Sequence, residues 1–298
     1  MDVLEELQGA TAAAAETAGP AVVGLRFGWR PASGVVIARD RVLTCAHAVR
    51  RDEVAVTFAD GRRATGRPAA VDAAGDLAVI AVETGDAPAI AWREAPAELG
   101  TPVFALARLG DGALRVTSGA VSALGRSFRG PRGRRIAGSV EHTAAVARGS
   151  AGGPLVDAGG RLVGLSSVRL DGGLVLALAA DADLHARGEA LARGEAPVRR
   201  TLGVGVVSSR AARRMRRAVG LPERDGLLVR EVQPDGPAAV AGVEVGDLIV
   251  AAAGTPVTSI DDLHAALDGA EGSGIGLALV RGESEREVVV RTIEADRG

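Results

Sequence analysis

Cysteine is almost absent: Cys45 is the single one in 298 residues, so no disulfide can close within the chain and the redox compartment cannot be read from bridges. Tyrosine, lysine and asparagine are missing altogether, and four phenylalanines and two tryptophans leave the aromatic content at 2%. All 35 basic residues are therefore arginine, which fits GC-rich codon usage, and 37 acidic residues offset them to a net charge of −2. That balance gives no reason to expect polyanion binding by the chain as a whole. No apolar run is long enough to span a bilayer. The opening MDVLEELQGATAAAAETAGP is acidic and lacks a basic stretch followed by an apolar run, so it reads as no secretory signal. The expected location is cytoplasmic if Met1 is the native start, and periplasmic or otherwise extracytoplasmic if the chain is a mature form with a new methionine.

What is present is a globular composition, 47% hydrophobic and 24% charged with 41 glycines, in a chain long enough for two or three domains. Residues 1–20 predict a short helix ended by Gly19 and Pro20. From Val22 to about Leu178 the pattern turns to short runs of Val, Leu and Ala broken by Gly, Asp and Pro, which predicts all-β barrels or sandwiches. The charged stretch 181–199 predicts a linker helix and hinge. Residues 200–294 alternate strand and helix patterns and predict a small α+β domain, with Ser259 capping a helix that has Asp262 three residues on.

Three separated stretches carry chemistry. SGVVIARDRVLTCAHAV places His47 where the chain turns after a strand, DAAGDLAVIAV places Asp76 at the head of an apolar strand, and GSAGGPL follows about 75 residues later. Acyl transfer by a hydroxyl nucleophile needs a base, an acid that fixes the tautomer of that base, and backbone donors for the oxyanion. The glycines of the loop let the amides of Gly149 and residue 151 turn into one pocket. The order His, Asp, glycine-rich loop is that of chymotrypsin-type proteases.

With these motifs, and with TSGAVSALGR, GSAGGPLVDAGGRLVGL, TLGVGV and GLLVREVQPDGPAAVAGVEVGDLIVAAAGTPV, the chain resembles the HtrA (DegP-like) family along nearly its whole length. The resemblance implies a mainly β fold: a trypsin-like double β-barrel over residues 21–180 (barrels at about 21–95 and 96–180), then an α+β PDZ domain over 200–294. It implies an ATP-independent endopeptidase of unfolded or misfolded polypeptides, a homo-oligomer such as a trimer, and a PDZ domain that binds peptide C-termini and couples to the active site. Carried over by position, His47 is the general base, Asp76 its orienting acid, and Gly149 with residue 151 the oxyanion donors.

Residue 151 is also the nucleophile position, and it is alanine, whose methyl group cannot attack a carbonyl. Ser150 is no substitute, because neighbouring side chains on an extended turn point in different directions. Two histories fit. Retention of His47 and Asp76 favours an engineered replacement of serine in an active parent; the alternative is a natural pseudoprotease serving as a non-catalytic peptide-binding protein or chaperone.

The specificity pocket is expected from Ala145 and Val146 on one side and from Val175, Leu176 and Ala177 on a later strand. No carboxylate lies among them, which predicts cleavage after a small or medium aliphatic residue rather than after Arg or Lys. In the PDZ domain, Leu202, Gly203 and Val204 match the carboxylate loop, the strand through Val206 supplies the free edge, and Leu263 and Leu267 line the groove. Arginine clusters at 126–135 and 210–217 lack aromatic stacking partners and are expected to be solvated surface or a regulatory contact rather than a nucleic-acid site. Cys45 is expected to be a small buried filler. His142, His185 and His264 show no metal-ligand spacing, so neither metal nor cofactor is expected.

Overall fold

A computed structural model of the chain describes residues 2–109, 112–130, 135–197, 200–270, 274–291 and 293–294. Two compact units divide it, Met1–Ala196 and Pro197–Gly298. The first opens with α1 (Val3–Ala18), whose N-terminus is closed by a capping box between Asp2 and Glu5. Strands β1 (Val22–Phe27), β2 (Arg30–Ala38), β3 (Arg41–Thr44), β4 (Val54–Thr57), β5 (Arg63–Asp72) and β6 (Leu77–Ala81) close a barrel in the order β1-β2-β3-β6-β5-β4. A second barrel, β10-β11-β12-β9-β8-β7, is built from β7 (Pro102–Arg108), β8 (Leu114–Arg129), β9 (Arg135–His142), β10 (Pro154–Val156), β11 (Leu162–Arg169) and β12 (Val175–Ala179).

Alternation along the strands sorts their apolar side chains into layers. In the first barrel Val23, Val36, Val42 and Ile80 join one cluster, while Val22, Val35, Leu43 and Val79 point the other way. This second set packs with Phe104, Leu106, Leu165 and Leu178 of the other barrel, so strands such as β6 are buried on both faces and read as continuous apolar runs. A cation ties the barrels as well. Buried Arg108, at the end of β7, donates from Nε to the carbonyl of Val22 at 2.9 Å, from Nη1 to that of Gly112 at 2.8 Å and from Nη2 to that of Gly19 at 3.1 Å.

Within 181–199, expected as a linker helix and hinge, α2 (Ala182–Ala192) packs on the barrels. Leu184 and Leu191, seven residues apart on one face, are buried in the layer shared by the barrels. Arg41 Nε donates to the carbonyl of Ala192 at 2.6 Å, and Arg187 lies 3.5 Å from buried Asp72. The helix is thus part of the first unit, which ends at Ala196 rather than at 180. Its other charged residues, Asp183 and Glu189, lie on the solvent face of an amphipathic helix.

On β9, His142 is fully buried and registered between Val121 and Val175, and neither ring nitrogen has a hydrogen-bond partner among the described residues. Burial pushes its imidazole down to about 4. The unfolded chain takes up this proton near pH 6.5 and the folded chain does not, so stability is lost as pH falls from 6.5 towards 4. The loss approaches about 3 kcal/mol. Thermal melts should show the midpoint dropping over that window, with a smaller drop in His142→Leu.

The second unit holds β13 (Arg200–Thr201), β14 (Val204–Val207), α3 (Ser209–Ala218), β15 (Leu227–Val232), α4 (Pro237–Val240), β16 (Leu248–Ala252), β17 (Thr255–Pro256), α5 (Ile260–Gly269), β18 (Gly274–Arg281), β19 (Ser284–Arg291) and β20 (Ile293–Glu294). Its sheet runs β14-β15-β16-β18-β19, with β17 on β16, and β13 pairs with β20. Leu227, Val229 and Ile249 face a core that includes Leu263 and Leu267 of α5, whereas Leu228 and Leu248 face Ala212 and Met215 of α3. The α5 N-terminus carries a capping box: Ser259 Oγ accepts from the Asp262 amide at 3.1 Å and the Asp262 carboxylate accepts from the Ser259 amide at 2.8 Å.

Candidate active site and peptide groove

His47 sits in a single 3₁₀ turn, Ala46–Ala48, that follows β3. Asp76, 1% exposed, precedes β6 in the left-handed region (φ 56°), a conformation that aspartate tolerates better than most residues. Pairing of Thr44 with Ala78 places the two segments side by side. The Asp76 carboxylate accepts from the His47 amide at 2.9 Å, from the ring Nδ1 at 2.9 and 3.0 Å, and from Ser167 Oγ at 2.6 Å. An acceptor-only carboxylate facing Nδ1 selects the tautomer protonated there and leaves the Nε2 lone pair for a proton. Ser167, on β11, was not among the residues singled out from sequence; its only signal is a serine pair inside an apolar strand.

The loop at 149–153 is held by its carbonyls. Ser33, fully buried on β2, donates from its amide to the Ala151 carbonyl at 2.9 Å and from Oγ to the Gly149 carbonyl at 3.1 Å. The Gly152 amide donates to the Ser166 carbonyl at 2.8 Å. Among the described residues the amides of Gly149 and Ala151 donate to nothing, so both remain available to an incoming anion. Ser150 is buried and Ala151 half-buried, which leaves the alanine as the more accessible of the two.

Gly152 (φ 81°) packs where a Cβ would overlap Thr44 Oγ1, the Ser33 carbonyl and the Cys45 amide, all backbone or anchored groups just upstream of His47. Gly152→Ala is therefore expected to cost about 2–5 kcal/mol, from overpacking and left-handed strain together. A lowered denaturant midpoint checks it.

Cys45 is buried, with Sγ 3.5 Å from the Ser166 carbonyl. Burial, then the nearby Asp76 carboxylate, push its thiol well above the usual range, so it holds no reactive thiolate. Donor atoms of Cys45, His47 and Asp76 lie within 4.8 Å of one another, a set that in principle suits a soft divalent metal. The carboxylate there is already engaged by His47 and Ser167, and the thiol is held protonated, so the donor set fits a metal poorly.

Of the expected pocket residues, Ala145 is exposed and Val146 half-buried against the cluster that contains Ala177. Val175, Leu176 and Ala177 are buried in β12, hydrogen-bonded to β9 on one side and β11 on the other. Their side chains are core, and the half-exposed residue that touches Asp76 is Ser167 of β11.

In the second unit Gly203 takes φ 71°. The carbonyls of Leu202 and Gly203 accept from Ala238 at 2.9 Å and Gln233 at 2.8 Å, and the Gly203 amide rests on Thr201 Oγ1 at 3.2 Å. β14 is an edge strand, and its Val204 and Val206 pack, half-buried, on the cluster holding Leu202, Leu263 and Leu267. Several clustered arginines have local structural roles: Arg126 pairs with Glu141, Arg213 with Asp225 and Arg217 with Glu223, and buried Arg216 donates to the carbonyls of Pro222 and Gly282. Residues 131–134 of the first cluster lie outside the described residues.

Two closed antiparallel barrels with a His–Asp pair and a clamped glycine loop, followed by a sheet with a free edge strand, define a trypsin-like peptidase scaffold joined to a peptide-binding module. Residues 32–165 match the trypsin-like peptidase domain family and residues 228–281 the PDZ domain family. The chain is 32% identical over 268 residues to the putative serine protease HhoA of Synechocystis sp., covering 85% of this chain and 68% of that one. It is 30% identical over 267 residues to the periplasmic serine endoprotease DegP of Salmonella typhimurium, covering 84% and 54%. The crystal structure of a serine endoprotease from Yersinia pestis superposes with a TM-score of 0.71 at 25% identity, covering 96% of this chain and 98% of that one. The chain belongs to the HtrA/DegP family of serine endoproteases, and it spans about half the length of DegP. Among the described residues no helix is long and apolar enough to cross a membrane.

Proposed function

We propose that the protein has the frame of an ATP-independent endopeptidase for unfolded or misfolded polypeptides, and that the chain as written is hydrolytically inert because a methyl group stands at position 151. The observation that supports this is an intact base and acid, with His47 Nδ1 2.9 Å from Asp76, next to a loop whose free amides flank a residue with no attacking atom. Loss of a triad nucleophile costs on the order of 10⁶ in turnover and leaves only binding and oxyanion stabilisation. Ala151 is read as a replacement of serine in an active parent. With Ala145 and Val146 uncharged beside the loop, the preferred residue before the scissile bond is small or medium aliphatic.

The second unit is proposed to bind peptide C-termini. Amides from Leu202 to Val204 receive the carboxylate, displacing Thr201 Oγ1 from Gly203; β14 pairs with the peptide backbone; and the terminal side chain enters beside Val204, Val206, Leu263 and Leu267. A homo-oligomer, a trimer by family, is proposed as well: α1 leaves Val3 and Leu4 74% and 71% exposed, an apolar face for a second copy to cover. The test is restoration of serine at 151, followed by hydrolysis of unfolded casein and its block by a serine-reactive phosphonate. Continued inertness of a folded Ala151→Ser protein supports the second reading, a pseudoprotease acting as peptide binder or chaperone, which the free β14 edge favours because it needs no nucleophile.

A further inference from the structure

Resting on the reading of the second unit as a binder of peptide C-termini, we infer that its ligands carry acidic side chains at the third and fifth positions before the terminal residue. β14 has β15 on one side only, so a peptide pairs antiparallel along the other side and its side chains alternate between the two faces of the sheet. One face is that of Val204, Val206 and α5, which takes the apolar terminal residue and the residue two before it. The odd positions turn to the opposite face, where Val207 packs with Ala212 and Met215 of α3.

Charge on that opposite face is uneven. A bulge in β15, where Gly205 opposes Glu231 and Val206 opposes Val229, sets Arg230 and Glu231 side by side, both exposed. Glu231 lies at the carboxylate-loop end and repels an acid at the position immediately before the terminus. Past Val207 the chain passes through Ser208 straight into α3, whose exposed Arg210 and Arg214 are neighbours one turn apart. Arg210, Arg214 and Arg230 make no ion pair among the described residues, whereas Arg213 and Arg217 already face Asp225 and Glu223. Arg210 and Arg214 therefore flank the stretch that a peptide reaches three to five residues upstream of its carboxylate. An acid there gains a partner without breaking an existing pair.

The test is fluorescence anisotropy of the full chain with short labelled peptides ending in valine. They carry Glu or Gln at both the third and fifth positions before the terminus, or Glu at the position just before it, each as free acid and as C-terminal amide. The doubly acidic free acid should bind about three- to tenfold tighter than its Gln counterpart at low ionic strength. The advantage should shrink in about 1 M salt and fall below twofold in an Arg210→Ala, Arg214→Ala double variant of unchanged melting temperature. Glu just before the terminus should give no gain. Equal binding of the Glu and Gln peptides, with both still requiring the free carboxylate, overturns the charge inference and leaves the groove reading standing. Absence of binding, or binding indifferent to amidation, overturns the groove reading itself.

Discussion

Ala151→Ser is expected to raise turnover on unfolded casein by about 10⁴–10⁶ over the chain as written. The size follows from how much of the apparatus already stands. The His47 ring is fixed through Nδ1 by a carboxylate 1% exposed, so its Nε2 is ready to take a hydroxyl proton, and the amides of Gly149 and Ala151 have no competing acceptor. One oxygen atom is the missing component, and the half-buried Cβ of residue 151 gives it a place that Ser150, buried in its own turn, does not have. The restored activity should disappear in His47→Ala and after phosphonate treatment. Turnover that survives His47→Ala would show that the hydrolysis does not use this base.

Asp76→Asn in the serine-restored protein should then lose about 10⁴ in kcat. Three donors converge on the Asp76 carboxylate: the His47 amide, the His47 ring and Ser167 Oγ. An asparagine brings one carbonyl oxygen and an NH₂ group, so at least one of those donors meets another donor. If the ring rotates to its other tautomer to escape, Nε2 carries the proton and the base is lost. The buried mismatch also costs about 1–3 kcal/mol of stability, so a melt recorded beside the kinetics separates the two effects. Ser167→Ala, which removes a donor that the carboxylate can spare, should cost far less than Asp76→Asn in the same assay. A near-neutral Asp76→Asn would remove this acid from the proposed mechanism.

The parts of the site legible in the chain are those whose chemistry needs a residue type at a turn. His47 after a β-strand, Asp76 ahead of an apolar run and a glycine-rich loop are local patterns, and chain order supplied their grouping. What escaped depends on the register between strands. Ser167 is a serine in a strand until β11 is laid against Asp76, and the burial of Val175–Ala177 shows only once β12 is paired with β9 and β11. Residues 181–199 read as a linker helix and hinge because their charges stand out, whereas what ties α2 to the barrels is two leucines seven apart and a carbonyl that receives Arg41. In the second unit the turn at Gly203 was visible because glycine suits a left-handed position; Ser33, which clamps the glycine loop of the first, had no comparable mark.

Arg108 bears on how the first unit comes apart. Its guanidinium, at the end of a strand in one barrel, closes the carbonyls of Gly19 and Val22, which open the other. Melting the first barrel alone takes away the acceptors of this guanidinium, and melting the second takes the donor from the two carbonyls, so either event forfeits the same buried hydrogen bonds. The pair of barrels is thereby coupled into one cooperative block, so partial unfolding that would bare the cleft to misuse is penalised from both sides.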